Sequence, residues 1–443
     1  MLEMEKRTRK ILFFTFFFIF ILSSPLLILY IQGYRFDFEN KKLTQTGGLF
    51  LKVIPKQVQI YIEEELVKET DFFFGSALIE NLLPKRNNIK VKKEGYFDWE
   101  KNLEIREKEV TEAKNIVLFP KETNFTFLFK GIKDSWFSKD GKKMIFKEEG
   151  EDFWELKLYD LEQNVKSHLL KESDISKKGV DDIFDLEFSK DGEEIYFNTI
   201  LKEKEVSFAL EINREPPFLK EIERYSFLPE DIIIHHQLNG EIYYLDNLGV
   251  FYKTDSSFST KEKVTKSPFP LKQETEYKLS IFSDLIFLIE EGKTLYLLNQ
   301  ETKLFEVLFE GIKDLKISPD GEKIAYFSNY EIRILFLKDT PEEPRQKRGE
   351  NIFLFRLSNK IKDVFWIMPN HLLFITENNI KITEIDNRDM INTISLAELS
   401  FFTENYSQSL NDQKSPEVFW SSANEKLYIL AEENLWISSK LTP

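Results

Sequence analysis

The chain has 443 residues, of which 42% are hydrophobic, 31% charged and 14% aromatic, which is enough apolar surface for a sizeable core and excludes a disordered chain. Sixteen Gly, 15 Pro and no Cys exclude collagen-like and disulfide-stapled classes, and any thiolate nucleophile, Cys-ligated zinc or iron–sulfur cluster. A net charge of −15 argues against a nucleic-acid partner.

Residues 11–31 read ILFFTFFFIFILSSPLLILYI, with no charge and six Phe between positions 13 and 20. As a helix this run spans roughly 30 Å, the thickness of a bilayer core. Lys6, Arg7, Arg9 and Lys10 precede it against Glu3 and Glu5, so residues 1–10 read as a cytoplasmic tail. Residues 11–32 form the anchor, and the bulk of the chain lies outside the cell membrane. A cleaved signal peptide is the rival, but its apolar region is shorter and ends at a small-x-small site, which Tyr30-Ile31-Gln32-Gly33-Tyr34 does not offer. Pro25 inside the span is tolerated in membrane helices.

Residues 33–46 read as a linker. Over 47–120 the texture changes to short alternating runs. Leu49–Ile54 stops at Pro55, Val58–Ile62 alternates with period two, and so does Ile89–Lys93. Leu103–Arg106 and Ile116–Leu118 follow, predicting a small β-sandwich. Gly48-Leu49, Ile60-Tyr61-Ile62-Glu63, Leu83-Pro84 and Lys93-Glu94-Gly95-Tyr96 resemble the strand order of the PEGA domain, an extracytoplasmic β module. Pro55-Lys56-Gln57-Val58 stands where the naming motif would be, and Glu63-Glu64-Glu65 replaces its Asp-Gly turn. Gly95 reads as a positive-φ position between strands, with Tyr96 and Trp99 capping the core.

Residues 121–443 carry a repeat. Ile132–Phe146, Ile183–Phe197 and Ile312–Tyr326 align as a strand, a Ser-x-Asp-Gly turn and a second strand. Asp bonds its own backbone in such a turn, and Gly takes the left-handed position. The turn glycines Gly141, Gly192 and Gly321 are 51 and 129 residues apart, and the second gap is three times 43. Weaker turns fall at Asn239-Gly240, Ser283-Asp284, Pro369-Asn370 and Asn424-Glu425. Second hairpins follow at Leu156, Leu295 and Ile382. Two hairpins per unit make four strands, the size of a propeller blade. Ser318-Pro-Asp-Gly-Glu-Lys-Ile-Ala-Tyr326 resembles the WD-like propeller repeats of the TolB and prolyl-oligopeptidase type. The resemblance implies a mostly β chain ending in a β-propeller, and the seven turns set about seven four-stranded blades; six or eight remain compatible with the degenerate middle units. Phe125–Phe129 is expected to pair with the C-terminal blade, closing the ring. Two polar stretches, Asp339–Glu350 and Thr403–Pro416, read as surface loops. In the first, Arg345, Lys347 and Arg348 make a solvated face or a contact for an anionic polymer.

No catalytic, cofactor-binding or metal-binding residue is singled out. The four histidines are His168, His235, His236 and His371, and the adjacent pair points to opposite faces of a strand. No H-E-x-x-H, G-x-S-x-G or phosphate loop occurs. The Ser-x-Asp-Gly turns supply too few carboxylates for calcium. Asn124 and Asn405 head N-x-[ST] patterns that arise by chance. The expected function is a non-catalytic binding or scaffolding protein of the cell envelope, held in the membrane by residues 11–32 and showing its propeller to a protein or glycan. The alternatives are an envelope hydrolase with its site at the propeller mouth, and a sensor or assembly subunit paired through its helix.

Overall fold

The computed structural model describes residues 6–443 except 39, 151–152, 178–179, 181, 190, 223–230, 239, 256, 283, 404–415 and 443. Most of the Thr403–Pro416 loop, Asn405, Asn239, Ser283 and the start of the N-terminal tail therefore lie outside the described residues.

Helix α1 (Lys6–Ile31) contains the apolar run. It fits a single-pass anchor or a signal peptide, and none of its apolar window is buried. Its hydroxyls are satisfied within the helix: Thr15 donates to the Ile11 carbonyl at 2.9 Å, and Ser24 to that of Phe20 at 2.6 Å. Beyond it, the presumed linker holds a hairpin of β1 (Tyr34–Asp37) and β2 (Lys42–Gln45). Arg35 locks the helix end. Its guanidinium lies 3.6 Å from the Tyr30 ring centre and bonds the Tyr30 carbonyl and Asn81 Oδ1 at 2.9 and 2.8 Å.

Seven strands follow: β3 (Gly47–Ile54), β4 (Gln59–Ile62), β5 (Glu65–Glu69), β6 (Ser76–Leu82), β7 (Arg86–Lys92), β8 (Trp99–Glu104) and β9 (Val110–Val117). They form a three-stranded sheet, β6-β3-β9, and a four-stranded one, β5-β4-β7-β8. Alternate residues face inward. Leu49, Leu51 and Val53 of one sheet join Ile60, Ile89, Val91, Trp99 and Leu103 of the other in one core. Gly95 has φ +80°, and Tyr96 packs on the core edge.

From Phe125 to Ser438 the described residues form seven four-stranded sheets. Six run in chain order, from Ile132–Phe137 in the first to Thr393–Glu398 in the sixth. The seventh is composite. Glu417–Ser421, Lys426–Ala431 and Asn434–Ser438 are completed on the outside by Phe125–Lys130, which pairs antiparallel with Asn434–Ser438. First strands touch between the first and second, third and fourth, and fifth and sixth sheets, so the first strands lie innermost.

Sheets stack face to face, and among the described residues buried cores form between neighbours from the third sheet round through the seventh to the first and second. Ile324 and Tyr326 meet Phe287 and Leu295; Leu373 and Ile375 meet Leu427 and Ile429. Phe146 and Met144 of the first sheet meet Tyr428 and Leu430 of the last. A second strand is thus covered on both sides and loses the alternating pattern: His371–Thr376 is buried at every position.

The repeated turns share one hydrogen-bond device. Ser318 Oγ donates to Asp320 Oδ1 at 2.5 Å, the amide of Glu322 donates to the same carboxylate at 3.0 Å, and the amide of Lys323 donates to Ser318 Oγ at 2.9 Å. Ser138 and Asp140 repeat it with the amides of Lys142 and Lys143, and Ser189 and Asp191 with those of Glu193 and Glu194. Gly141, Gly192 and Gly321 have φ between +68° and +70°, where a side chain is strained.

Candidate binding surfaces: the channel and the domain seam

The innermost strands share a register. Ile132, Ile183, Ile312 and Ile361 open four of them, and two residues later stand Asp134, Asp185, Asp314 and Asp363. A bulge falls before or at each Asp and re-aims the strand. Side chains then link strand to strand around the channel. Lys278 reaches Asp314 at 3.3 Å, Lys316 holds Asp314 at 2.8 Å, and Lys316 also lies 3.8 Å from Asp363. The chain of contacts continues in aromatic form: Phe365 meets Phe419 edge-on, and Phe419 stacks on Phe137.

Burial works to raise the Asp314 carboxyl, but Lys316 beside it outweighs that and leaves it below the usual carboxylate range. Burial also raises Asp363, and there Lys316 recovers only part, so this carboxyl stays above its usual range. Burial pulls Lys316 down, yet the two aspartates outweigh it and hold its ammonium more firmly. Lys313, donating to the Ile361 carbonyl at 3.0 Å, is lowered by burial. Charged contacts thus join the innermost strands of the fourth to sixth sheets, and aromatic contacts those of the sixth, seventh and first. No group of three or more metal-ligating side chains occurs among the described residues.

A second surface is the seam between the small sandwich and the sixth ring sheet. Lys101 is fully buried and pairs with Glu384 at 2.7 Å; Asp386 lies 3.7 Å away and offers its carbonyl at 2.5 Å. Trp99 Nε1 donates to Glu384 Oε2 at 2.8 Å. Arg388 grips Asp386 at 2.6 Å, Glu343 at 3.1 Å and the Glu112 carbonyl at 2.7 Å. Asp389 receives Arg86 at 2.5 Å and Asn102 at 2.9 Å. Burial raises the Asp386 carboxyl, and Arg388 and Lys101 outweigh it, so it remains ionised.

The Asp339–Glu350 loop belongs to this seam. Glu342 reaches Lys114 at 3.4 Å, and Arg348 pairs with Asp284 at 2.5 Å. Thr340 folds the loop on itself by accepting the amide of Gln346 at 2.7 Å. The polar stretch read as a surface loop is therefore also a clamp, and one member of its basic cluster is engaged. Between loop, sandwich and ring lies a cavity of about 320 Å³. Its charged lining is mutually paired: Lys323 with Asp320, Lys114 with Glu342, Arg388 with Glu343.

The histidines do not converge. His168 contacts Glu155, and His235 and His236 share the strand Ile232–Leu238. His371 is buried beside Phe119, and burial lowers its imidazole to about 4. Sequence reasoning missed the channel aspartates, although their shared offset from Ile132, Ile183, Ile312 and Ile361 was available inside the aligned repeats. Nothing local signalled the seam.

No family model matches the chain, and no curated protein matches it. Solved structures that resemble it are β-propellers and related chains. The β-propeller domain of Cps50 (Swd1) from Myceliophteria thermophila is 12% identical, with a TM-score of 0.38, over 72% of this chain and 99% of that one. YCF48 from Cyanidioschyzon merolae is 10% identical, with a TM-score of 0.40, over 71% and 98%. A chain of the mitotic checkpoint complex is 8% identical, with a TM-score of 0.40, over 73% and 95%. Overlap this loose carries no functional argument, and the ring is read from its own strand order.

Proposed function

We propose that the chain is a membrane-anchored, extracytoplasmic binding or scaffolding protein of the cell envelope. In this reading residues 11–32 span the cell membrane once, with residues 1–10 in the cytoplasm. The PEGA-like sandwich over 47–120 is a stalk, and the seven four-stranded sheets are the blades of a propeller offered to a protein or glycan. The observation that carries it is the seam. Lys101 and Glu384, buried, and Asp386 and Arg388, half-buried, fasten the sandwich to the ring by their charges, and Arg35 fastens the sandwich to the helix. A protein whose task is presentation needs that stiffness.

The test is in-cell cross-linking of the full chain, followed by purification in detergent and identification of what is bound. A stoichiometric envelope protein or glycan, with no turnover of a glycan or peptide panel, is the expected result. Absence of any partner together with turnover would overturn it. The second reading, an envelope hydrolase with its site at the propeller mouth, draws on Asp314 and Asp363, a low and a raised carboxyl on adjoining inner strands. The same panel decides it.

A further inference from the structure

A groove of about 800 Å³ lies on the outer rim, between the outermost strand of the fourth ring sheet, Phe305–Glu310, and the fifth sheet. It is remote in kind from the channel, and the inference does not need the reading above. Its charged lining is two arginines, Arg333 and Arg356, and two glutamates, Glu310 and Glu331. Glu331, only 4% exposed, takes the Nε of Arg333 on one oxygen at 2.5 Å. Its other oxygen takes Nη2 and Nε of Arg356 at 2.6 and 3.2 Å. Arg333 is also held between two rings, 5.8 Å from the centre of Phe309 and 5.5 Å from that of Phe353.

One buried carboxylate thus fixes two guanidiniums, and it cannot use all their donors. Each guanidinium has five N–H groups in a fork. Arg356 engages only its Nε and Nη2 edge in these bonds, and its side chain remains 71% exposed. Apolar surface flanks the pair: Val307, Tyr330 and Phe353 are each at least 40% exposed. Glu310 lines the groove too, but no ion pair joins it to either arginine among the described residues. On a chain of net −15, oriented cationic donors here meet exposed apolar side chains.

The neighbouring strand decides what kind of anion fits. Phe305–Glu310 is the outer edge of its sheet, and no further strand pairs with it among the described residues. An extended peptide adds to such an edge through main-chain hydrogen bonds, with side chains supplying specificity. We propose that this groove binds an extended acidic peptide segment, whose carboxylate takes the open edge of Arg356 while adjacent apolar side chains cover Val307 and Tyr330.

The probe is a short synthetic peptide alternating Glu and Val, labelled with a fluorophore and titrated against the full chain in non-ionic detergent. Binding that weakens with added salt is expected, because the contact is between charges at the surface. The same peptide with Gln for Glu should bind about tenfold more weakly, as should the Glu peptide to Arg356→Ala, through loss of charge-assisted hydrogen bonds. Arg356→Lys should recover only part, since Lys lacks the fork. Thermal melting of each variant checks folding, because Arg356→Ala leaves the buried Glu331 carboxylate to Arg333; the Gln peptide reads the same contact on the unaltered chain. No binding by the unaltered chain, or equal binding by Arg356→Ala, overturns the proposal. So does competition by inorganic phosphate at the peptide's own concentration, which marks a bare anion site, or tighter binding of polygalacturonate, which marks a glycan site.

Discussion

The ring turns and the seam both use carboxylates to hold backbone and cations in place, but they work at opposite ranges. At Ser318–Lys323 a carboxylate, a hydroxyl and two amides close within six residues, and the device recurs at 138–143 and 189–194. At the seam, Trp99 and Glu384 are 285 residues apart, and no second such arrangement occurs among the described residues. A repeated local device spreads risk over several sheets. A single buried network concentrates it, because each charge depends on its partner to offset desolvation.

The sharpest break of that contrast is Lys101→Met. It leaves Glu384 without its buried cation, and should cost about 3–5 kcal/mol in guanidinium unfolding of the full chain. Adding Glu384→Gln should recover part of the loss. A change below about 1 kcal/mol would mean the seam is not held by its charges.

His371 gives the next effect. Its folded imidazole titrates at about 4, below the ordinary 6.5, because it is buried. Between those values the unfolded chain takes a proton that the folded chain refuses, so stability falls as pH drops from 7 to 5, by about 2 kcal/mol. His371→Leu should lose that portion of the pH dependence, read as the difference between the two melting curves. Equal slopes for both proteins would sink the assignment.

The smallest effect belongs to one local turn. Gly321 has φ +68° and open space where a Cβ would stand, so Gly321→Ala is opposed by backbone strain alone. It should cost about 1–2 kcal/mol. A loss as large as that of Lys101→Met would erase the distinction between the two regions.

The same difference in range governs what the sequence reveals. The turns are readable because their chemistry sits in four consecutive residues and repeats. The outer strand Phe125–Lys130 is readable because its alternating Phe residues have no other sheet to join. Strand β5 (Glu65–Glu69) is exposed at every position, so no buried face imprints a period on it. In β6, outward-facing Leu78 blurs the alternation set by Ala77 and Ile79. Lys101 and Glu384 look like ordinary surface charges in their own segments, and only the tertiary fold makes them partners. Arg333 and Arg356 are hidden for the same reason: Glu331 is what orients them, and sequence does not show that it is buried.

The seam of the ring also sets a clock. Phe125–Lys130 leaves the ribosome early, yet its partner Asn434–Ser438 comes last. At ordinary synthesis rates the interval is roughly 15–60 s. Throughout it, a strand bearing Phe125, Phe127 and Phe129 has no edge to join. The yield of folded chain should therefore depend on how fast the final sheet arrives.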